Sequence, residues 1–252
     1  NTLLLFIDGV GIGESDPEKN PFFSGRFQFF EKLFGTIPHH GNQSLSGEEI
    51  ELFPVDARMG IDGIPQSGTG QTAIFCGVNA PQIINQHFGP FPYSTLVPII
   101  KEKNIFKAYL DEGKTAFFVN SYPQVYFDYL NSGRSRMSVT TLSYTSAGKE
   151  LNNWQDVQAG KSLSAEITNR VWREKLNYTS IPLITPEQAA QRVLDRSAEH
   201  DLTVFEFFLT DHLGHGRIKQ DFDIVCSDLD KFLTHIFTHY RRYAATVLLC
   251  SD

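Results

Sequence analysis

The sequence is poor in cysteine, and its three cysteines do not indicate a disulfide framework. Cys76, Cys226 and Cys250 lie far apart, are odd in number and show no Cys-x-x-Cys spacing. Disulfide-stapled domains and structural zinc sites need closely spaced cysteines, usually in even numbers. The cysteine usage therefore favours a reducing compartment, and we expect a cytoplasmic location.

Long apolar runs and an excess of positive charge are also missing. No apolar run approaches the roughly 18 residues of a membrane-spanning helix, and the first apolar stretch is too short for a signal peptide. The net charge of −7 argues against a nucleic-acid-binding surface. We therefore expect neither a membrane nor a nucleic acid as partner. An acidic protein that handles anionic ligands needs local positive charge, which bound metal ions supply.

The remaining composition is that of a globular protein. The 252 residues are 41% hydrophobic and include 21 Phe, which favours a large buried core in a single domain over 1–252. The chain begins with Asn1 inside a strand-like run and stops at Asp252 just after another. We expect further residues at both ends of the chain.

Hydrophobic patterning predicts alternating strands and helices. Apolar runs predict buried strands at 2–7, 115–119, 202–210 and 244–250, and helical patterns cover 94–111, 185–200 and 220–240. Thr185, Pro186 and Gln188 form a capping-box signature for the second of these helices. This order predicts an α/β protein, a three-layer αβα sandwich with a mostly parallel central sheet. The segment 120–182 lacks a clear period and is predicted to be a loop-rich insertion or small cap.

Three predicted strands each run into an aspartate. Asp8, Asp211 and Asp252 follow the first, third and fourth of the strands named above. The carboxyl ends of parallel strands share one edge of a sheet, where ligands bind in open α/β folds. Three carboxylates at one edge repel one another unless cations bind there. The alternative is that each aspartate only caps a turn or a helix.

A carboxylate and an imidazole follow each other closely in the run Asp-His-Leu-Gly-His. Asp211 and His215 are four residues apart and can face one metal ion from a helical turn or a compact loop. His212 is the weaker ligand, because it points elsewhere if the other two converge. The alternative is a surface loop with incidental histidines.

A loop of small residues carries two candidate nucleophiles. Ser67 and Thr69 lie in Gln-Ser-Gly-Thr-Gly-Gln, which runs into a predicted helix. Backbone N–H groups at a helix start favour an anion, and a metal ion in contact with a hydroxyl lowers its pKa and makes it nucleophilic. The alternative is an ordinary helix cap.

Taken together, these motifs resemble the alkaline phosphatase superfamily. The run FIDGVGIG around Asp8, the Ser67 loop with Gly70 and Gly77 after it, DHLGH from Asp211 and the final LLCSD occur in that family's order. The chain is most similar to the branch that contains cofactor-independent phosphoglycerate mutase and phosphopentomutase. The resemblance implies an alkaline-phosphatase-like fold, and it says little about residues 78–200.

The resemblance also implies a site with two divalent metal ions, Zn or Mn, with Mg as a further option. Asp211 and His215 match the ligands of one ion, and Asp8 and Asp252 match those of the other, beside Ser67 as nucleophile and further ligand. Thr69 ranks second as nucleophile because the glycine spacing fits Ser67.

The implied activity is that of a metal-dependent phosphatase or phosphomutase acting on a small phosphorylated substrate. The alternatives are a phosphodiesterase or sulfatase-like hydrolase with the same metal plan, or a member without catalytic activity. The family has a histidine directly after the last aspartate and another downstream. The sequence stops at Asp252 before either of them, and this departure keeps the alternative without catalytic activity open. Gln71 stands where phosphoglycerate mutase has a histidine, which weakens the mutase interpretation.

Several other polar residues allow a functional and a bland interpretation. Arg134 and Arg136 are candidates for holding phosphate oxygens, since guanidinium pairs with phosphate in a bidentate way, although exposed loop arginines are the alternative. His39 with His40, and His235 with His239, are more typical of exposed or half-buried surfaces than of metal sites. The remaining acidic residues are predicted to form a solvated face on the last long helix: Asp221, Asp223, Asp228 and Asp230.

Overall fold

The computed structural model describes residues 1–133, 136–217 and 222–252. In chain order its strands are β1 (Thr2–Ile7), β2 (Leu45–Ser46), β3 (Glu51–Leu52), β4 (Ala116–Phe118), β5 (Leu202–Phe207) and β6 (Thr246–Cys250). Four of them form one sheet in the order β4-β5-β1-β6, and every neighbouring pair is parallel. The other two form a short antiparallel pair. The predicted parallel sheet is therefore confirmed. β1 has its predicted bounds, and the other three strands of the sheet are shorter than predicted.

Twelve α-helices lie within the described ranges. They are α1 (Phe29–Phe34), α2 (Ser67–Cys76), α3 (Ala80–Ile84), α4 (Leu96–Glu102), α5 (Ile105–Asp111), α6 (Gln124–Asn131), α7 (Val139–Ser146), α8 (Trp154–Gln158), α9 (Arg170–Lys175), α10 (Pro186–Glu199), α11 (Leu209–Gly214) and α12 (Phe222–His239). None of these helices is long and apolar enough to cross a membrane.

The sheet is covered by helices on both faces because its strands are apolar on both sides. Alternate residues of β1 point to opposite faces. Leu3 and Leu5 pack into a core that includes residues of α10 and α12. Leu4 and Phe6 pack into a second core that includes residues of α2, α4, α5 and α7. The α/β class and the flanking of the sheet by helices are as predicted.

The two long helices after residue 184 are also close to prediction. Thr185 accepts a hydrogen bond from the backbone N–H of Gln188, whose side chain accepts one from the backbone N–H of Thr185. This capping box fixes the start of α10, and α10 ends at Glu199. The helix predicted at 220–240 is α12, which is described from Phe222 to His239.

Two predicted boundaries were wrong. The helix predicted at 94–111 is split into α4 and α5, because Lys103 is extended and the side chain of Asn104 caps α5 by accepting from Lys107 N at 3.0 Å. The strand predicted at 202–210 ends at Phe207, and α11 begins at Leu209. An apolar run thus continued from a strand into a helix without a polar break.

The segment 120–182, predicted to be loop-rich, contains the four helices from α6 to α9. Helix α7 lies in the layer with α2, α4 and α5, and Val139 and Tyr144 are buried there. Its Ser- and Thr-rich sequence is a weak helix former, so burial and the Ser138 cap hold it in place. A separate small cluster unites Val157, Trp172 and Ile181.

The acidic face predicted for the last long helix was wrong for Asp230. Asp230 is buried and accepts hydrogen bonds from the backbone N–H groups of Gln28 and Phe29, both at 2.6 Å. It therefore caps the start of α1. Asp228 is half-buried and lies 3.6 Å from Arg170, and Asp223 pairs with Arg26 at 3.0 Å. The remaining member, Asp221, lies outside the described residues.

The buried cap predicts a large difference between two substitutions at one position. Asp230→Ala removes the acceptor from two backbone N–H groups, so we expect the free energy of unfolding to fall by about 2 kcal/mol. Asp230→Asn keeps an acceptor oxygen and should lose less than half as much. Urea unfolding followed by circular dichroism measures both. Equal losses for the two variants would contradict the capping role.

Candidate active site

Strand register brings the first and last aspartates together. β1 pairs with β6 so that Phe6 lies opposite Cys250, and two residues further on Asp8 and Asp252 reach the same level. The backbone N–H of Gly9 donates to Asp252 Oδ1 at 3.3 Å. The predicted meeting of these two carboxylates at the carboxyl edge is therefore present in the structure.

A third acid, which the sequence analysis did not consider, lies directly behind them. Glu206 of β5 is opposite Phe6 in register, and its side chain shares the α2 side of the sheet with Asp8. Glu206 is only 3% exposed, and Asp8 only 6%. The signal in the sequence was a glutamate inside the otherwise apolar strand β5, where a buried charge normally requires a partner.

Two glycines allow the backbone segments to approach each other. A Cβ on Gly70 of α2 would lie 2.6 Å from Asp252 Cβ, and a Cβ on Gly9 would lie 2.9 Å from Asp211 Cα. Both distances are too short for a side chain. Gly9 also has φ +71°, which favours glycine. These two glycines therefore serve close packing around the carboxylates.

This packing places the hydroxyl of Ser67 next to the carboxylates. Ser67 is the first residue of α2, and its Oγ donates to Asp8 Oδ1 at 3.2 Å. Thr69, the second candidate nucleophile, is fully buried. Its Oγ1 donates to the carbonyl of Gln66 at 3.0 Å and accepts from Phe88 N at 3.3 Å. The structure places Ser67, and not Thr69, at the carboxylates.

Gln71 links the front and rear carboxylates. Its Nε2 lies 3.4 Å from Asp8 Oδ2 and 3.3 Å from Glu206 Oε1, and donates to both. On the other side, Thr210 Oγ1 donates to the backbone carbonyl of Asp8 at 2.6 Å. Position 71 therefore has a structural role in this chain, because an amide holds two acids apart without adding charge.

Asp211 and His215 converge as their spacing predicted, on a helix rather than after a strand. Asp211 lies in the first turn of α11, and His215 Nε2 is 3.2 Å from Asp211 Oδ1. Arg217 lies on the other oxygen, with 2.9 Å between its guanidinium and Asp211 Oδ2. His212 points elsewhere, with its ring 5.1 Å from that of Phe208. Sequence reasoning missed Arg217, although it follows His215 by only two residues.

The two arginines predicted to hold phosphate are not brought to these residues. Arg136 is exposed, and its backbone N–H donates to the hydroxyl of Tyr129 at 3.1 Å. Arg134 lies outside the described residues. Among the described residues, the arginine that contacts one of the acids of the site is Arg217, which pairs with Asp211.

Burial, with a smaller contribution from neighbouring charges, raises the pKa values of the three acids. Burial, followed by the charge of Asp252, raises the pKa of Asp8 to about 9. Burial also raises the pKa of Asp252, and the charge of Asp211 adds to the effect. Burial raises the pKa of Glu206 to about 7, with a further contribution from Asp252. Protons therefore relieve part of the repulsion when no cation is present.

A cleft opens in front of these groups. It has a volume of about 200 Å³ and is lined by Asp8, Gly9, Pro65, Gln66, Ser67, Asp211, Gly214, His215 and Asp252. Asp252 Oδ2 is buried and has no hydrogen-bond partner among the described residues. In the same residues, no three His, Cys, Asp or Glu side chains already form a complete metal cage. Carboxylates, a hydroxyl and one imidazole facing a small cleft nevertheless fit the ligand preferences of Mn, Mg and Zn.

The raised pKa values predict an unusual dependence of stability on pH. Without divalent metal, the folded state keeps protons on Asp8 and Glu206 that the unfolded chain loses above its ordinary carboxyl pKa. Stability should therefore fall as the pH rises from 5 to 8. Asp252→Asn removes one of the repelling charges and should raise the free energy of unfolding at pH 8 by about 1–2 kcal/mol.

Thermal unfolding in chelator at several pH values measures both effects. Asp62→Asn, which neutralises an exposed carboxylate outside the cleft, is the matched control and should change little. Stability that rises with pH in chelator, or an Asp252→Asn variant no more stable than the control, would contradict the repulsion argument.

Comparison of the chain with protein-family models, with curated proteins and with solved structures gives no match. Any chemistry assigned to the cleft therefore has to be inferred from the residues that line it.

Proposed function

We propose that this chain is a metal-dependent phosphoryl-transfer enzyme with Ser67 as nucleophile. The single observation that supports this most is the position of Ser67 Oγ, 3.2 Å from the Asp8 carboxylate, in a cleft shared with Asp252, Asp211 and His215. Carboxylates beside a hydroxyl at the carboxyl edge of a parallel sheet are what metal-assisted displacement requires. We also propose that the fold is alkaline-phosphatase-like.

Two groups of side chains are proposed to hold two divalent cations. Asp8, Asp252 and Ser67 belong to one group, and Asp211 and His215 to the other. Bound Zn or Mn, or alternatively Mg, would polarise a phosphoryl oxygen and favour the ionised form of the serine. The buried, unsatisfied Asp252 Oδ2 supports the first group, because a cation is the natural partner of such an atom.

Ser67 performs the covalent step in this proposal. Its Oγ attacks phosphorus, the bond from Oγ to phosphorus forms, and the bond from phosphorus to the leaving oxygen breaks. The Ser67 proton is released to water, because Asp8 is engaged as a ligand of the cation, and the leaving oxygen takes up a proton from water. Water or a second hydroxyl then attacks the phosphoserine, which frees Ser67 again. A water acceptor gives a phosphatase and a sugar or acid hydroxyl gives a mutase.

The start of α2 favours the binding of a phosphate anion in the cleft. Ser67 and Gly68 open this helix, so backbone N–H groups and the positive end of the helix dipole lie near the bound anion. Arg217 is the side chain proposed to hold non-bridging phosphoryl oxygens, because it already contacts Asp211 beside the cleft. Its guanidinium would supply positive charge beside the acidic cleft.

A Ser67→Ala variant tests the nucleophile. We expect turnover of a generic aryl phosphate to fall at least about 1000-fold, because among the described residues no other hydroxyl bonds to the Asp8 carboxylate. Metal binding should be weakened only modestly, since Asp8 and Asp252 remain. Calorimetry with Mn²⁺ and an absorbance assay measure the two quantities.

Thr69→Val is the matched control, because it removes the neighbouring hydroxyl, which bonds to backbone groups. Turnover that survives in Ser67→Ala but is lost in Thr69→Val would contradict the assignment. Running an aryl phosphate diester and an aryl sulfate in the same assay separates monoester chemistry from the phosphodiesterase and sulfatase alternatives. Metal binding without turnover of any of the three would favour a non-catalytic protein.

Arg217→Ala tests the proposed phosphate contact. We expect KM for the aryl phosphate to rise about tenfold, as lost charge-assisted hydrogen bonds weaken substrate binding. Arg217→Lys should recover part of the loss. Arg136→Ala, which removes an exposed arginine not among the residues lining the cleft, is the control and should leave KM unchanged. The reverse pattern would restore the original prediction for Arg136.

A further inference from the structure

A second set of metal-ligating side chains lies on α12, away from the cleft. His235 and His239 are four residues apart on this 18-residue helix, and both are half-buried. Their ring centroids are 4.5 Å apart. Residues four apart lie on one face of a helix, so both imidazoles are presented at the same place. Nothing in the proposed phosphoryl chemistry uses either of them.

A third donor comes from the neighbouring helix α10. Gln191 Oε1 lies 3.3 Å from His235 Nε2. With metal–ligand bonds of about 2.0–2.1 Å, adjacent ligand atoms of a metal ion lie roughly 3.0–3.4 Å apart. The two atoms are within hydrogen-bond distance, and their separation also matches one edge of a coordination polyhedron. A metal ion would therefore replace the proton between them and join α10 to α12 with little movement of either side chain.

The charges around the pair suit a cation. Burial, followed by the positive charge that His239 can carry, lowers the pKa of His235, which favours the neutral ring whose lone pair can bind a metal. The Glu187 carboxylate of α10 acts on the same imidazole in the opposite direction, which shows that a negative charge lies within electrostatic range. Two imidazoles and an amide oxygen leave further positions to water.

We propose that His235, His239 and Gln191 form a binding site for a divalent transition metal of the Ni, Cu or Zn type. Imidazole is the ligand that these ions prefer among protein donors, whereas Mg and Ca prefer oxygen. The site is independent of the cleft and of the function proposed for it. It lies at the other end of the sheet: α12 ends at His239, and β6 then begins at Thr246, at the amino edge.

The consequence for the protein is mechanical. A metal ion held by both helices would tie the last turn of α12 to α10. Binding only to the folded state raises stability in proportion to the logarithm of metal concentration over Kd. Bound Ni²⁺ should therefore raise Tm by about 5 °C at roughly a hundredfold excess over Kd.

The experiment uses the full chain with Asp8→Asn, Asp252→Asn, Asp211→Asn and His215→Gln, which removes the carboxylates and the imidazole proposed to hold the two cleft cations but leaves this site intact. Titration with NiCl₂ by calorimetry, and thermal unfolding with and without NiCl₂, should show one site and a raised Tm. Adding His235→Gln or His239→Gln should weaken binding at least tenfold and abolish the Tm shift. His40→Gln, which removes an exposed histidine elsewhere, is the matched control.

A Tm shift that persists after His235→Gln or His239→Gln would overturn the proposal. Ni²⁺ affinity of these variants equal to that of the His40→Gln control would also overturn it. Loss of folding is excluded by circular dichroism of each metal-free variant. A second measurement does not depend on stability: electron paramagnetic resonance of bound Cu²⁺ should show coupling to two nitrogen ligands in the parent chain and to one in each variant. Identical spectra in parent and variants would also overturn it.

Discussion

Repulsion among buried carboxylates is the constraint on which the rest of this site depends. Asp8, Asp252 and Glu206 lie on one side of the sheet near its carboxyl edge, and burial raises the pKa of each. Neutral residues would make the same core more stable, since buried charge is costly. The fold nevertheless positions three acids close together, and the cation proposed above would offset the cost of their repulsion. The proposal of a cation site in the cleft therefore rests on these acids and not on the shape of the cleft.

The sequence carried enough information to predict most of this arrangement. Apolar runs ending at Asp8 and Asp252, together with the rule that parallel strands share a carboxyl edge, were sufficient to bring those residues together. The four-residue spacing of Asp211 and His215 was sufficient for their contact, although α11, rather than a strand, supplies it. These predictions succeeded because each depends on local patterning plus one general rule of α/β topology.

What the sequence could not supply was the identity of neighbours across elements. Glu206 was overlooked because its importance depends on the register between β1 and β5, which is a tertiary property. Asp230 was predicted as solvated although it follows Cys226 by four residues and so shares the buried stripe of α12. Its partners are backbone N–H groups some 200 positions away, and no periodicity within α12 reveals them.

Gly9 connects the two groups of ligands and bears on how many cations the cleft suits. Its N–H donates to Asp252, while its Cα side lies so close to Asp211 that a Cβ would be 2.9 Å from the Asp211 backbone. The two proposed groups of ligands are thus neighbours in one cleft. The proposal of two cations rests on their division into Asp8, Asp252 and Ser67 on one side and the pair of Asp211 and His215, 3.2 Å apart, on the other. Two cations held there would stabilise the attacking and the leaving oxygen together.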